Sequence, residues 1–211
     1  MILGFCMKKY LVGMALLIAA GPIRAGGIDL ALSNETANLS VILNRDPFMS
    51  EQARTQDGGA EIAVGGFISE VGDNLLHATL LARGVRQTLN SQYHISAGMK
   101  LLGGEIETGV DRENSTDSET VGALALGFQA GLLLQQSAYN PVELSFEGFY
   151  APNITSFSDA ERYGEVSVRL QVEIMPRARA YVGYRRMRFD TNDYDDVQLD
   201  RSAHFGLNIS F

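Results

Sequence analysis

Seven charged residues, Arg83, Lys100, Glu143, Glu147, Glu165, Arg169 and Glu173, stand on the polar side of segments in which polar and apolar residues alternate. Residues two apart share one face of an extended strand, so such acids and bases, brought together from facing strands, would pair, hold a polar solute or line a narrow path for water. Three histidines, His77, His94 and His204, add groups that ligate metals or take up protons near neutral pH. They come from well-separated segments and show no ligand spacing such as His-x-x-x-His, so no metal site is expected.

His94 and Ser96 stand at i and i+2, which places an imidazole and a hydroxyl on one strand face. A lipid-modifying enzyme would need that couple at an acyl ester, with a carboxylate orienting the base. The face they share here is the polar one, turned away from lipid, so no catalytic residue is expected. Two acidic stretches, Asp111, Glu113, Asp117 and Glu119, and Asp190, Asp193, Asp195, Asp196 and Asp200, offer oxygen ligands for calcium or magnesium. Neither has calcium-loop spacing, and solvated acidic loops are the expectation. No cofactor is expected either.

The elements that would position these groups are strands. Ala203, Phe205, Leu207, Ile209 and Phe211 alternate with Ser202, His204, Gly206, Asn208 and Ser210. Val166, Val168, Leu170, Val172 and Ile174 alternate with Glu165, Ser167, Arg169, Gln171 and Glu173. Similar runs cover 93–101, 124–134 and 142–150, and weaker ones 28–33, 37–43, 60–68, 75–83 and 178–189. Short connections such as Ser33 to Thr36 and Pro176-Arg177 contrast with long polar ones at 44–59, 104–119, 151–160 and 190–200.

Ahead of the strands, Met7, Lys8 and Lys9 precede an apolar run from Tyr10 to Ile23, and Ala25 offers a small residue for cleavage. This is an export-signal pattern, too short for a spanning helix. Residues 1–25 are expected to be removed and 26–211 to form one domain. The only cysteine, Cys6, lies in the leader, so no disulfide or thiol chemistry is expected of the mature chain. Losing Lys8, Lys9 and Arg24 leaves 14 basic against 25 acidic residues, a balance that excludes nucleic acid as a partner.

Alternation alone fits a soluble sandwich as well as a membrane barrel. Strands of ten or more residues, uneven loop lengths and the apolar C-terminal alternation favour the barrel. The expected fold is therefore all-β, an antiparallel transmembrane β-barrel of eight to ten strands, ten by this count. In it the seven charges form a lumen polar network, and Phe205, Leu207, Ile209 and Phe211 form a C-terminal assembly signal. Phe149, Tyr150, Tyr163, Tyr181 and Tyr184 are expected in interfacial girdles or in the core.

Phe149-Tyr150-Ala151-Pro152, Asp159 to Tyr163, Tyr181-Val182-Gly183-Tyr184-Arg185 and Phe205 to Phe211, with Gly72-Asp73-Asn74-Leu75-Leu76-His77, resemble the YfaZ family of predicted outer-membrane proteins. The resemblance is strongest from Gly122 onward. It implies a fold and a location, the cell outer membrane, but no catalytic signature. The expected partners are outer-membrane lipid, lipopolysaccharide and the barrel-assembly machinery, with the chain as a monomer. The expected role is structural or narrow passive permeability. A lateral carrier or binding module for a small hydrophobic molecule is the alternative, and a lipid-modifying barrel enzyme comes third.

Overall fold

A computed structural model describes residues 25–43, 58–88, 91–108, 117–135 and 140–211. The expected leader, apart from Ala25, and most of the 44–59 connection lie outside these residues. The strands are β1 (Ala25–Leu32), β2 (Thr36–Leu43), β3 (Gly58–Ser69), β4 (Asn74–Thr88), β5 (Ser91–Thr108), β6 (Asp117–Gln135), β7 (Val142–Ala151), β8 (Ser156–Ser158), β9 (Ala160–Met175), β10 (Ala178–Thr191) and β11 (Val197–Ser210).

Ten of them form a closed antiparallel β-barrel, in which each strand pairs with its chain neighbour and β7 pairs directly with β9. The ring closes where Gly27–Leu32 of β1 meets Phe205–Ser210 of β11. The three-residue β8 pairs with the upper part of β6, above the point where β7 ends. Ala25, Phe211 and the 176–177 turn lie at one end, the terminal end; the turns after β1 and β3 and the β10–β11 hairpin lie at the other, the loop end.

Local chemistry sets the turns. The Ser33 hydroxyl accepts the Glu35 and Thr36 N–H groups at 3.2 and 2.9 Å, closing the β1–β2 hairpin. Gly72, at φ 123°, takes a conformation closed to other residues in the β3–β4 turn. Asp73 beside it accepts the Ser69 hydroxyl at 2.7 Å and the Glu107 N–H at 3.0 Å, tying the turn to β5.

Two of the expected loops are largely strand. β5 runs on to Thr108 and β6 starts at Asp117, while β10 reaches Thr191 and β11 starts at Val197, so only 109–116 and 192–196 connect them. Acidic residues are poor strand formers by propensity, and cross-strand pairing overrides that preference here. The 151–160 connection contains a 3-10 turn at Asn153–Thr155 as well as β8.

The alternation sorts side chains to two sides of the wall. Val166, Val168, Leu170 and Ile174 of β9 are exposed on the outer side, as are Leu126, Phe128 and Leu132 of β6 and Val182 of β10. Glu165 and Ser167 are buried inside. The apolar face is thus the exterior and the charged face the interior.

Candidate functional site

The barrel interior changes character along its height. Toward the loop end, inward side chains from eight strands make one apolar cluster: Phe67, Leu75, Leu102, Ile106, Val121, Phe149, Tyr163, Met187, Phe189, Val197 and Leu199 among them. The Tyr163 and Phe189 rings meet at 4.8 Å between centroids, and Ile106, Val121 and Phe189 are at most 1 % exposed. Packed apolar groups with so little exposure fill the lumen at the loop end as a plug.

Below the plug lies a layer where charges rest on its aromatic floor. Lys100 Nζ stands 5.3 Å from the Phe149 ring centroid and donates to Glu165 Oε2 at 2.5 Å, and the Tyr163 hydroxyl donates to the same oxygen at 2.5 Å. Arg185 stands over Phe67 at 5.1 Å and donates to Asp200 Oδ2 from Nε at 2.7 Å. Thr36 also donates to that carboxylate, at 3.3 Å. Each buried charge of this layer therefore has an opposite partner, and the two cations also have an aromatic face, the conditions under which burial is tolerated.

From this layer to the terminal end the lumen is a polar cup of about 530 Å³. Six of the seven charges singled out in the sequence line it: Arg83, Lys100, Glu143, Glu147, Glu165 and Arg169. Glu173 sits at its rim, 3.8 Å from Arg179. Arg169 faces Asp29 at 3.8 Å and covers the Tyr181 ring, whose hydroxyl donates to Asp29 at 2.8 Å. Gln129 donates to Glu147 at 3.5 Å. Glu143 is shared by His94, at 3.5 Å, and Arg179, at 3.7 Å. Side-chain exposure rises from 4 % at Glu165 and Arg185 to 30 % at Glu173 and 44 % at Arg179, so the cup opens at the terminal end.

The sequence reading missed Asp29, Arg179 and Asp200. Asp29 stood between Ile28 and Leu30 in plain alternation, in a strand whose signal was short. Asp200 was counted with an acidic loop. A β-bulge between Met187 and Arg188 turns both Leu199 and Asp200 inward, which simple alternation forbids.

All three histidines face inward, and each ring packs on a glycine directly across the register: His77 on Gly65, His94 on Gly131 and His204 on Gly183. Phe149 on Gly127 and Tyr181 on Gly206 repeat the arrangement. A β-carbon at any of these glycines would collide with the ring, so the pairs fit like pegs in sockets and account for the histidines by packing. Ser96 is 1 % exposed and its hydroxyl has no hydrogen-bond partner, so the base–nucleophile bond of a His94–Ser96 couple is not formed. Among the described residues no three histidine, cysteine or acidic groups gather as metal ligands.

Phe149, Tyr163 and Tyr181 are interior, whereas Tyr150 and Tyr184 are exposed outside. On β11, Phe205 and Ile209 are exposed, as is Phe211 just beyond it, and Leu207 between them is partly covered. In the β10–β11 hairpin Asp190 pairs with Arg162 at 3.0 Å and Asp196 with Arg188 at 3.2 Å.

The model of the YfaZ precursor family matches residues 105–211, from the upper part of β5 through β11. The chain belongs to the YfaZ family. The matched region supplies Glu143, Glu147, Glu165, Arg169 and Glu173 of the cup, so the YfaZ half holds most of its acids. No curated protein shows a significant match. Among solved structures, a bacterial polysaccharide outer-membrane secretin is 10 % identical with a TM-score of 0.44, over 88 % of this chain and 69 % of its own. The β domain of the Bordetella autotransporter Brka is 14 % identical with a TM-score of 0.43, over 89 % of this chain and all of its own.

Proposed function

We propose that this YfaZ-family barrel resides in the bacterial outer membrane, is exported with residues 1–25 as a cleaved leader, and serves a structural role with its lumen closed to the outside. The observation that carries the reading is the apolar plug above the polar cup. The outer apolar band supports the membrane setting. Val166 to Ile174 spans eight residue steps, roughly 26 Å along the strand at ~3.3 Å each, or roughly 20 Å along the normal at the usual tilt, near the ~25 Å band of outer-membrane barrels. The terminal end then faces the periplasm, so the cup is a periplasmic recess. Assembly would engage the barrel-assembly machinery, and the wall would contact outer-membrane lipid, including lipopolysaccharide, with the chain as a monomer.

Refolded protein is expected to show no stepwise current in planar bilayers. Discrete conductance at the single-channel level would contradict the plug and restore the passive-permeability reading. The membrane setting has its own test: folded barrels of this type run differently in detergent gels before and after boiling, and a soluble sandwich does not.

A second reading, solute binding in the cup, is favoured by its volume and by acids and bases alternating around it. A lateral carrier is not supported, because every seam of the wall is paired, the closing β1–β11 seam included. We infer that the protein is not an enzyme, since His94 and Ser96 face the lumen rather than acyl chains. An altered lipid A acyl pattern on expression would overturn that inference.

A further inference from the structure

We propose that the outer wall of β9, β10 and β11 carries a docking site for the phosphate groups of an outer-leaflet lipid, built on Arg186 and Arg201. This inference rests on the outer-membrane reading above and adds a partner chemistry to it.

The apolar exterior of these three strands ends at Val166, Tyr184 and Ala203. Two residues further toward the loop end, roughly 7 Å along a strand, the outward positions of β10 and β11 are Arg186 and Arg201; Arg188 on β10 and Arg162 on β9 follow above. All four are exposed on a chain whose formal charge is −8. On the far wall the outward positions toward the loop end include Glu105 of β5 and Thr120 of β6, with no base among them, so the basic cluster belongs to one side.

Arg186 and Arg201 are direct register partners across the β10–β11 pair. Like charges so placed repel, and among the described residues neither guanidinium has an acid or hydrogen-bond partner. Arg162 and Arg188, by contrast, are held by Asp190 and Asp196. The two held arginines flank a small groove of about 80 Å³ over Gly164, bounded by Tyr150. An anion shared by Arg186 and Arg201 removes their repulsion, and the planar guanidinium fork matches a phosphate better than any neutral headgroup. The position, one step above the hydrocarbon, is where a lipid holds its phosphate.

The test uses the barrel refolded in detergent micelles and reads the temperature at which the unboiled gel band is lost. Diphosphorylated lipid A, its dephosphorylated form and inorganic phosphate are titrated separately. Only the phosphorylated lipid should raise that temperature. The Arg186→Gln/Arg201→Gln variant should need roughly tenfold or more lipid for the same rise, the loss expected for a charge-assisted phosphate contact, whereas Arg177→Gln, exposed in the turn at the opposite end, should match the wild type. An unchanged response in the double variant, equal protection by the phosphate-free lipid or by inorganic phosphate, or no protection at all would each overturn the site. If the barrel keeps its boiling-dependent mobility in those cases, the membrane reading stands and only this inference falls. If that mobility shift is absent from the start, the membrane reading itself fails.

Discussion

Phe189 and Arg179 are both inward residues of β10, ten positions apart, and they occupy opposite environments. Phe189 is fully buried in the plug; Arg179 keeps 44 % of its side chain exposed at the rim of the cup. The same contrast runs down β9, from Tyr163 to Glu173. Alternation decides which side of the wall a residue faces, and the nature of the inward residues then decides whether the lumen is filled or open. A barrel with polar inward residues throughout would hold water along its whole axis; here the upper third is packed like a soluble core.

That contrast predicts graded costs, measured as free energies of unfolding by urea in detergent. Phe189→Ala should be most damaging, about 4 kcal/mol, because it leaves a cavity in a packed region. Lys100→Met should cost about 3 kcal/mol by stranding the Glu165 carboxylate, and adding Glu165→Gln should recover most of it, since an amide still accepts from Tyr163. If the double variant is as unstable as the single one, the pair is not what holds that layer.

Gly131→Val should cost about 2 kcal/mol by driving a side chain into the His94 ring, and His94→Ala in the same protein should relieve the clash. Failure of that rescue would undo the peg-and-socket account of the histidines. Arg179→Ala, at the open rim, should cost less than about 1 kcal/mol; a loss as large as that of Lys100→Met would mean that the rim is as dry as the floor.

Much of this was legible in the residues. Alternation in Tyr163–Ile174 and Ser202–Phe211 fixed the wall and its polarity, and the charges on the polar side of such runs pointed into the lumen. The plug was not legible, because Ile106, Val197 and Leu199 fall in polar stretches that read as loops, and Val121 lies between one of them and the strand run at 124–134. Their apolar character at inward positions acquires meaning only when facing strands bring them together. Arg185–Asp200 depends on a bulge, and a register shift of one residue leaves no periodic trace.

A lumen that opens only toward the terminal end can be reached by a reagent from one side of the membrane alone. Gln171 lines the cup, and Cys6 is the sequence's one cysteine, so Gln171→Cys in a Cys6→Ser background gives a single reporter. A bulky, membrane-impermeant maleimide should leave it unlabelled on intact cells and label it once the outer membrane is permeabilised. Equal labelling of intact cells would contradict a sealed loop end.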